Sequence, residues 1–321
     1  MQAAPNPMNP ATPPIPAPSD SVPPGPRFSS FLLALSLLIL LPLTGCIRTH
    51  FVDKTVVPSR LMDATLEQLV KQMNDRFGAV QTLNATVDIT ATTGGHHEGQ
   101  VKEIPTSAGY IFLRKPLDLR VLMLVPVLRS RALDMVSDGK FFKLLMTVPA
   151  TPARAIEGSE QVTRPSKNGL ENLRPSVIRD ALLVPAVQSD EYMDMTESSR
   201  LTVPVYGKKA RIEEPDYDVV FLVNRSDHVL ERVRVIHISR VTLLPYQQDI
   251  YDHSGHVVTV VAYDRYQKFG DIDYPTSILI TRPLDEYTLR IDISKLVING
   301  KLDEEQFQLK FPEGLTVRNM P

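Results

Sequence analysis

Apolar residues recur at Leu66, Leu69, Val70, Met73, Phe77 and Val80, a spacing that gathers them on one stripe of a helix. Thr65 with Gln68 three residues on is the pattern of a capping box at its start, and Gly78 is a stop signal near its end. The period then changes from 3.6 to 2. Leu83, Ala85, Val87, Ile89 and Ala91 alternate with Asn84, Thr86, Asp88, Thr90 and Thr92, which predicts a half-buried strand with one apolar and one polar face. Further strands are predicted over 108–113, 117–125 and 133–136. Asp138-Gly139, between two apolar runs, is a strong hairpin signal, with 141–148 as the returning strand. Strands this closely spaced should pair antiparallel, because parallel pairs need a long crossover.

Residues 150–215 interrupt the pattern. They are rich in Pro, Ser, Glu and Arg, with one short helix predicted near 176–184, so this stretch reads as a helical and irregular insertion. Strands resume at 217–223 and 229–238, joined by the polar loop 224–228, and continue over 257–264, 275–282 and 287–299. A last edge strand is expected within 303–311, carrying Phe307 and Leu309. The expected fold class is α+β: an open, unclosed antiparallel barrel of about ten strands, near the size at which a sheet curls, with helices covering its concave face.

Ahead of this domain the pattern is of another kind. Residues 1–26 hold ten of the chain's 27 prolines and have no apolar face to bury, so they read as a disordered extension. After Arg27, residues 28–43 form a greasy run of sixteen, short of the about 20 a bilayer span needs. Leu43-Thr44-Gly45-Cys46 follows at once. Charged, apolar and small-residue regions in that order describe a secretory signal over 27–45, and the last four residues resemble the bacterial lipobox. That resemblance implies cleavage before Cys46 and lipidation of Cys46. The alternatives are an uncleaved membrane anchor or a free cysteine. Residues 46–58 then form a lipidated tether. As a coil it averages roughly 20 Å and reaches about 40 Å when extended, so it would hold the domain (59–315) close to the membrane.

Composition narrows the functional classes. Cys46 is the only cysteine, so no disulfide is available and the domain depends on its core. A formal net charge of −2 offers no basic footprint for nucleic acid. Asp252-His253-Ser254-Gly255-His256 has donors for a metal, but Ser-Gly between two strands reads first as a turn. His96-His97 behind Gly94-Gly95 reads the same way. There is no nucleophile elbow and no phosphate-cradling glycine loop, so neither catalysis nor a cofactor is expected.

The layout resembles the periplasmic lipoprotein carrier LolA and its receptor LolB over roughly 60–313. The opening helix leads straight into a strand, and the run Gly109-Tyr110-Ile111-Phe112-Leu113-Arg114-Lys115-Pro116-Leu117-Asp118-Leu119-Arg120 is similar to that family's second and third strands. Ser137-Asp138-Gly139-Lys140 matches its Asp-Gly turn, and Leu296-Val297-Ile298-Asn299-Gly300 with Phe307 matches its closing strand. The resemblance implies a half-barrel whose hydrophobic cavity holds acyl chains or another lipid. The inward candidates are Leu83, Val87, Ile89, Phe112, Leu119, Val121, Met123, Phe221, Val233 and Val235. Each could equally be a packing residue against the helix. In the family's receptor a Pro-Leu-Gly tip carries a leucine into the membrane. Here Val125-Pro126-Val127-Leu128-Arg129 stands at that place, which makes Val127 and Leu128 the membrane-insertion candidates beside a cationic collar of Arg129 and Arg131. The glycine is missing.

Two readings follow. One is an outer-membrane-anchored lipoprotein on the inner leaflet, facing the periplasm, that accepts lipoprotein acyl chains or membrane lipid, with a soluble periplasmic carrier as a partner. Ile47, not aspartate, after Cys46 implies that address by the resemblance. The other is a structural or assembly lipoprotein of the envelope, with a filled core, acting through protein contacts.

Overall fold

The computed structural model describes residues 55–58, 60–96, 99–147, 151–161, 174–202 and 211–320. The proline-rich extension, the signal segment and Cys46 lie outside the described residues. One sheet dominates. Its fifteen strands are β1 (Thr55–Val56), β2 (Thr82–Thr93), β3 (Lys102–Arg114), β4 (Asp118–Leu124), β5 (Arg131–Ser137), β6 (Phe141–Met146), β7 (Arg154–Ser159), β8 (Glu191–Thr202), β9 (Arg211–Ser226), β10 (Val229–Ser239), β11 (Pro245–Tyr251), β12 (Val257–Phe269), β13 (Ile272–Arg282), β14 (Tyr287–Ile298) and β15 (Val317–Met320). Among the described residues two α-helices accompany it, α1 (Leu66–Ala79) and α2 (Pro175–Leu182).

The strands run in the order β9-β10-β11-β12-β13-β14-β2-β3-β4-β5-β6-β7-β15, with β8 on the far side of β9 and β1 pairing with β9 in parallel. The two ends of this path do not pair with each other, so the sheet is unclosed. After β1, the chain continues in the middle of the sheet: β14 pairs with β2 over Tyr287–Thr93 through Ile298–Leu83, joining the two halves of the meander.

Four expectations are corrected. The strand count is fifteen among the described residues, not about ten. The stretch read as an irregular insertion contributes β7 and β8 as well as α2. The edge strand expected within 303–311 is a 3₁₀ turn at Glu304–Phe307, and the edge is closed instead by β15, parallel to β7. Thr55 and Val56, expected within the tether, are pinned on Arg211 and Ile212.

Local chemistry explains the joints. In α1 the Gln68 amide donates to Thr65 Oγ1 at 3.3 Å, and the Thr65 amide donates to Gln68 Oε1 at 2.9 Å. The capping box is therefore complete. The helix buries Leu69 and Met73 against Tyr217, Val219, Phe221, Ile236 and Ile238, about 2 kcal/mol for each apolar side chain removed from water. At the β5–β6 hairpin, Asp138 Oδ1 accepts from the amides of Lys140 and Phe141 at 2.8 Å each, while Gly139 takes φ +88. That left-handed turn admits glycine without strain, and a Cβ there would come within 2.4 Å of Leu117.

Candidate functional site

Cross-strand pairing lines up side chains of one face in rows. Ile111, Val121, Met135, Leu144 and Ile156 are direct partners in succession across β3 to β7. The next row toward the β4–β5 loop runs Met123, Leu133, Met146, Arg154, opposite Gly109 of β3. Val121, Met135 and Ile156 of the first row are buried, whereas Met123, Leu133 and Met146 are only half-buried and Arg154 is exposed. Burial therefore increases away from the loop.

These rows are the floor of an apolar cavity of about 120 Å³, small beside the roughly 300–1,000 Å³ of ligand pockets. Ile89, Leu289 and Ile291 add to the wall from β2 and β14, Phe142 and Met320 from the β15 side, and Ile178 from α2. Among the described residues every lining side chain is apolar except Arg154, and four are methionines. Thioether side chains are flexible and polarisable, so such a wall adapts to ligand shape.

Helix α2 is held in place by polar contacts in its C-terminal half. Arg179 donates to Glu160 in a two-pronged ion pair, and the Tyr274 hydroxyl donates to the Leu182 carbonyl at 2.5 Å. Ile178, Ala181 and Leu182 are buried in the same core cluster as Ile111, Val121 and Met135.

Of the residues expected to line a cavity, Ile89, Val121 and Met123 do so. Leu83, Val87 and Leu119 are buried in the adjoining core cluster and pack there. Phe221 and Val233 belong to the separate cluster beneath α1. Two assignments are corrected. Phe112 alternates with the buried Ile111 and Leu113 and stacks on Tyr110 at 6.4 Å, so it is on the opposite face. Val235 pairs with Val220, out of step with Ile236–Val219, and likewise faces away. The lining residues of β5, β6, β7 and β15 were not singled out from sequence. Arg154 carried no sequence signal.

The β4–β5 loop projects at the cavity's half-buried end. Val127 is 96% and Leu128 69% exposed. Val127 and Arg129 take φ +68 and +50, and the Arg129 amide closes the turn on the Val125 carbonyl at 2.9 Å. The turn thus forms without glycine, with a β-branched residue held in the left-handed region at a cost of about 1–2 kcal/mol. Arg131 pairs with the buried Asp134 at 3.0 Å.

The polar clusters elsewhere have a different character. On the face of the sheet opposite α1, His237 Nδ1 is 2.7 Å from Asp218 and Nε2 3.3 Å from Asp249. Burial pushes His237 down, but the hydrogen bonds and charges of both aspartates outweigh it and raise the imidazole to about 9. His253 is exposed and contacts Glu231 at 2.8 Å and Arg225 at 2.7 Å, while His256 meets Asp252 at 3.4 Å. Among the described residues no group of three or more His, Cys, Asp or Glu could hold a metal ion.

No family model matches the chain, and no curated protein matches it. Among solved structures it is similar to a LolA superfamily protein from Nitrosomonas europaea, at 13% identity and a TM-score of 0.46 over 77% of this chain and 99% of that one. A DUF1329 family protein from Desulfovibrio piger is similar at 17% identity and a TM-score of 0.46, over 75% and 94%. An outer membrane lipoprotein-sorting protein domain from Vibrio parahaemolyticus is similar at 9% identity and a TM-score of 0.41, over 74% and 94%.

Proposed function

We propose that this protein is a lipid-anchored lipoprotein of the bacterial envelope that takes an acyl chain into its cavity, in the manner of a LolB-like receptor for lipoproteins or a lipid-transfer protein, without catalysing a reaction. The observation that carries the reading is the cavity itself. A wall that among the described residues is apolar, with a single charged residue at its margin, favours a ligand that is almost entirely hydrocarbon, since each buried CH₂ contributes about 0.8 kcal/mol. Cys46 as the anchor, the outer-membrane inner leaflet as the address and a soluble carrier as donor remain part of the proposal, resting on the sequence.

The exposed Val127 and Leu128 support the same reading. A greasy tip followed by Arg129 and Arg131 suits an interface of hydrocarbon and anionic head groups. It lies next to the half-buried row Met123, Leu133 and Met146, so a chain leaving the bilayer beside the tip would meet the cavity mouth directly.

The test uses residues 53–321, a compact unit whose core clusters all lie within it. Purified from cells, it should carry lipid visible by native mass spectrometry and should bind a fluorescent fatty acid. A protein that is both ligand-free and unable to bind the probe would refute the acyl-binding reading and leave the protein-contact alternative.

A further inference from the structure

Among the described residues, Arg154 is the only charged side chain lining the cavity. It is exposed, and among the described residues it makes no hydrogen bond, ion pair or ring contact. Other arginines of this region are engaged. Arg120 forms a two-pronged pair with Asp134 at 2.9 and 2.7 Å, Arg131 joins the same carboxylate, and Arg179 holds Glu160. Among the described residues no aspartate or glutamate lines the cavity, so the guanidinium is set against described wall residues that offer it nothing but hydrocarbon.

Its position in the register gives it a direction. Arg154 is the direct partner of Met146 on β6 and ends the half-buried row. Two residues along β7, Ile156 is buried in the next row, partnered by Leu144. A ligand threaded through the mouth would leave its head beside Arg154 and its tail along Leu144, Ile156 and Met135. Arginine presents a planar fork of donors that matches carboxylate and phosphate oxygens. Low-dielectric walls leave its field less screened than on an open surface.

We infer that the cavity takes a single-chain amphiphile with an anionic head, carboxylate or phosphate, and that Arg154 binds the head at the mouth while the chain runs inward. The inference rests on the acyl-binding reading of the same cavity and goes further, by naming the charge of the head and the residue that selects it.

Three ligands with the same sixteen-carbon chain test it: hexadecanoic acid, hexadecyl phosphate and hexadecanol, each displacing a neutral fluorescent probe from residues 53–321. At low salt the two anions should bind about fivefold more tightly than the alcohol, the range of one partly exposed charge pair. The difference should shrink as salt rises. R154Q should abolish it while leaving hexadecanol unchanged, and R154K, which keeps the charge without the fork, should retain part of it. The acid and the phosphate compared with each other distinguish a fatty acid from a phospholipid-type head. Equal binding of all three by the wild type, or an anion preference that survives in R154Q, overturns the inference while the acyl-binding reading stands. Failure of all three to bind overturns both.

Discussion

Arg179 Nη1 and Nη2 reach the two carboxylate oxygens of Glu160 at 3.0 and 2.8 Å, a parallel ion pair between α2 and the end of β7 in which both side chains are nearly enclosed (13% and 6% exposed). It fixes the helix whose Ile178 lines the cavity. Arg179→Ala leaves a buried carboxylate without its cation, and removing one partner of such a pair costs about 3–5 kcal/mol. The expected outcome is a loss of that order in denaturant unfolding, with faster amide exchange across 175–182. Arg179→Met with Glu160→Gln should recover part of it, because no bare charge remains. A single-mutant loss below about 1 kcal/mol would show that packing of Ile178, Ala181 and Leu182 alone holds the helix.

The strained tip makes a prediction in which stability and function part company. Val127→Gly relieves the left-handed backbone at φ +68 and should stabilise the protein by up to about 1 kcal/mol, yet it removes apolar surface from the tip. Leu128→Glu, at an exposed position, should leave the melting midpoint unchanged and weaken binding to anionic vesicles, measured by flotation. If both variants bind vesicles as the wild type does, the tip has no role at the lipid surface.

Much of the architecture could be read from the sequence where one face was polar. The alternation through β2 set both its limits and its buried face. The Thr65–Gln68 box placed the start of α1, and Asp138-Gly139 placed the β5–β6 hairpin. Reading failed in two physical circumstances. In Tyr110-Ile111-Phe112-Leu113 every residue is apolar, so period 2 cannot choose a face, and Phe112 was assigned to the side that Ile111 and Leu113 occupy. In β8 and β11 the alternation is weak, because β8 is an edge strand that turns Met193 and Met195 toward the α1 cluster but leaves Glu197 exposed, and β11 carries Gln247 and Asp249 against the His237 cluster. β15 is four residues long. Pairing partners, not composition, make these segments strands. The cavity wall drawn from β7 and β15 was hidden for the same reason.

His237 makes stability depend on alkaline pH. Its folded value of about 9 exceeds the ordinary value near 6.5, so the protonated form is bound more strongly by the native state. The stabilisation is fully present below about pH 6.5, declines as pH rises, and is gone above about 9. Asp218 is the reverse. Burial raises it, the His237 hydrogen bond and charge lower it further, and the net shift is downward, so its contribution is lost only as pH falls below the ordinary carboxylate range. Unfolding free energy measured from pH 6 to 10 should therefore decline in the wild type and flatten in His237→Gln. Parallel curves for the two proteins would place the titration elsewhere.

Val121 offers a way to tell a hollow site from a filled core. It is 3% exposed, lines the cavity, and is flanked in its row by Ile111 and Met135. Val121→Phe adds a ring to that row. In a close-packed core such an insertion forces side chains off their rotamers and costs about 1–3 kcal/mol. Next to open space the ring can enter the cavity, cover apolar surface and cost less than about 1 kcal/mol. The two cases also differ in ligand binding, since a ring in the cavity occupies the volume an acyl chain would take. The expected result is a midpoint close to the wild type with at least a tenfold loss of fatty-acid affinity, about 1.4 kcal/mol. Val121→Ala should leave binding intact, because it enlarges the same space, while losing about 1–2 kcal/mol of stability. A destabilised Val121→Phe that still binds the fatty acid at full strength would locate the ligand outside this cavity.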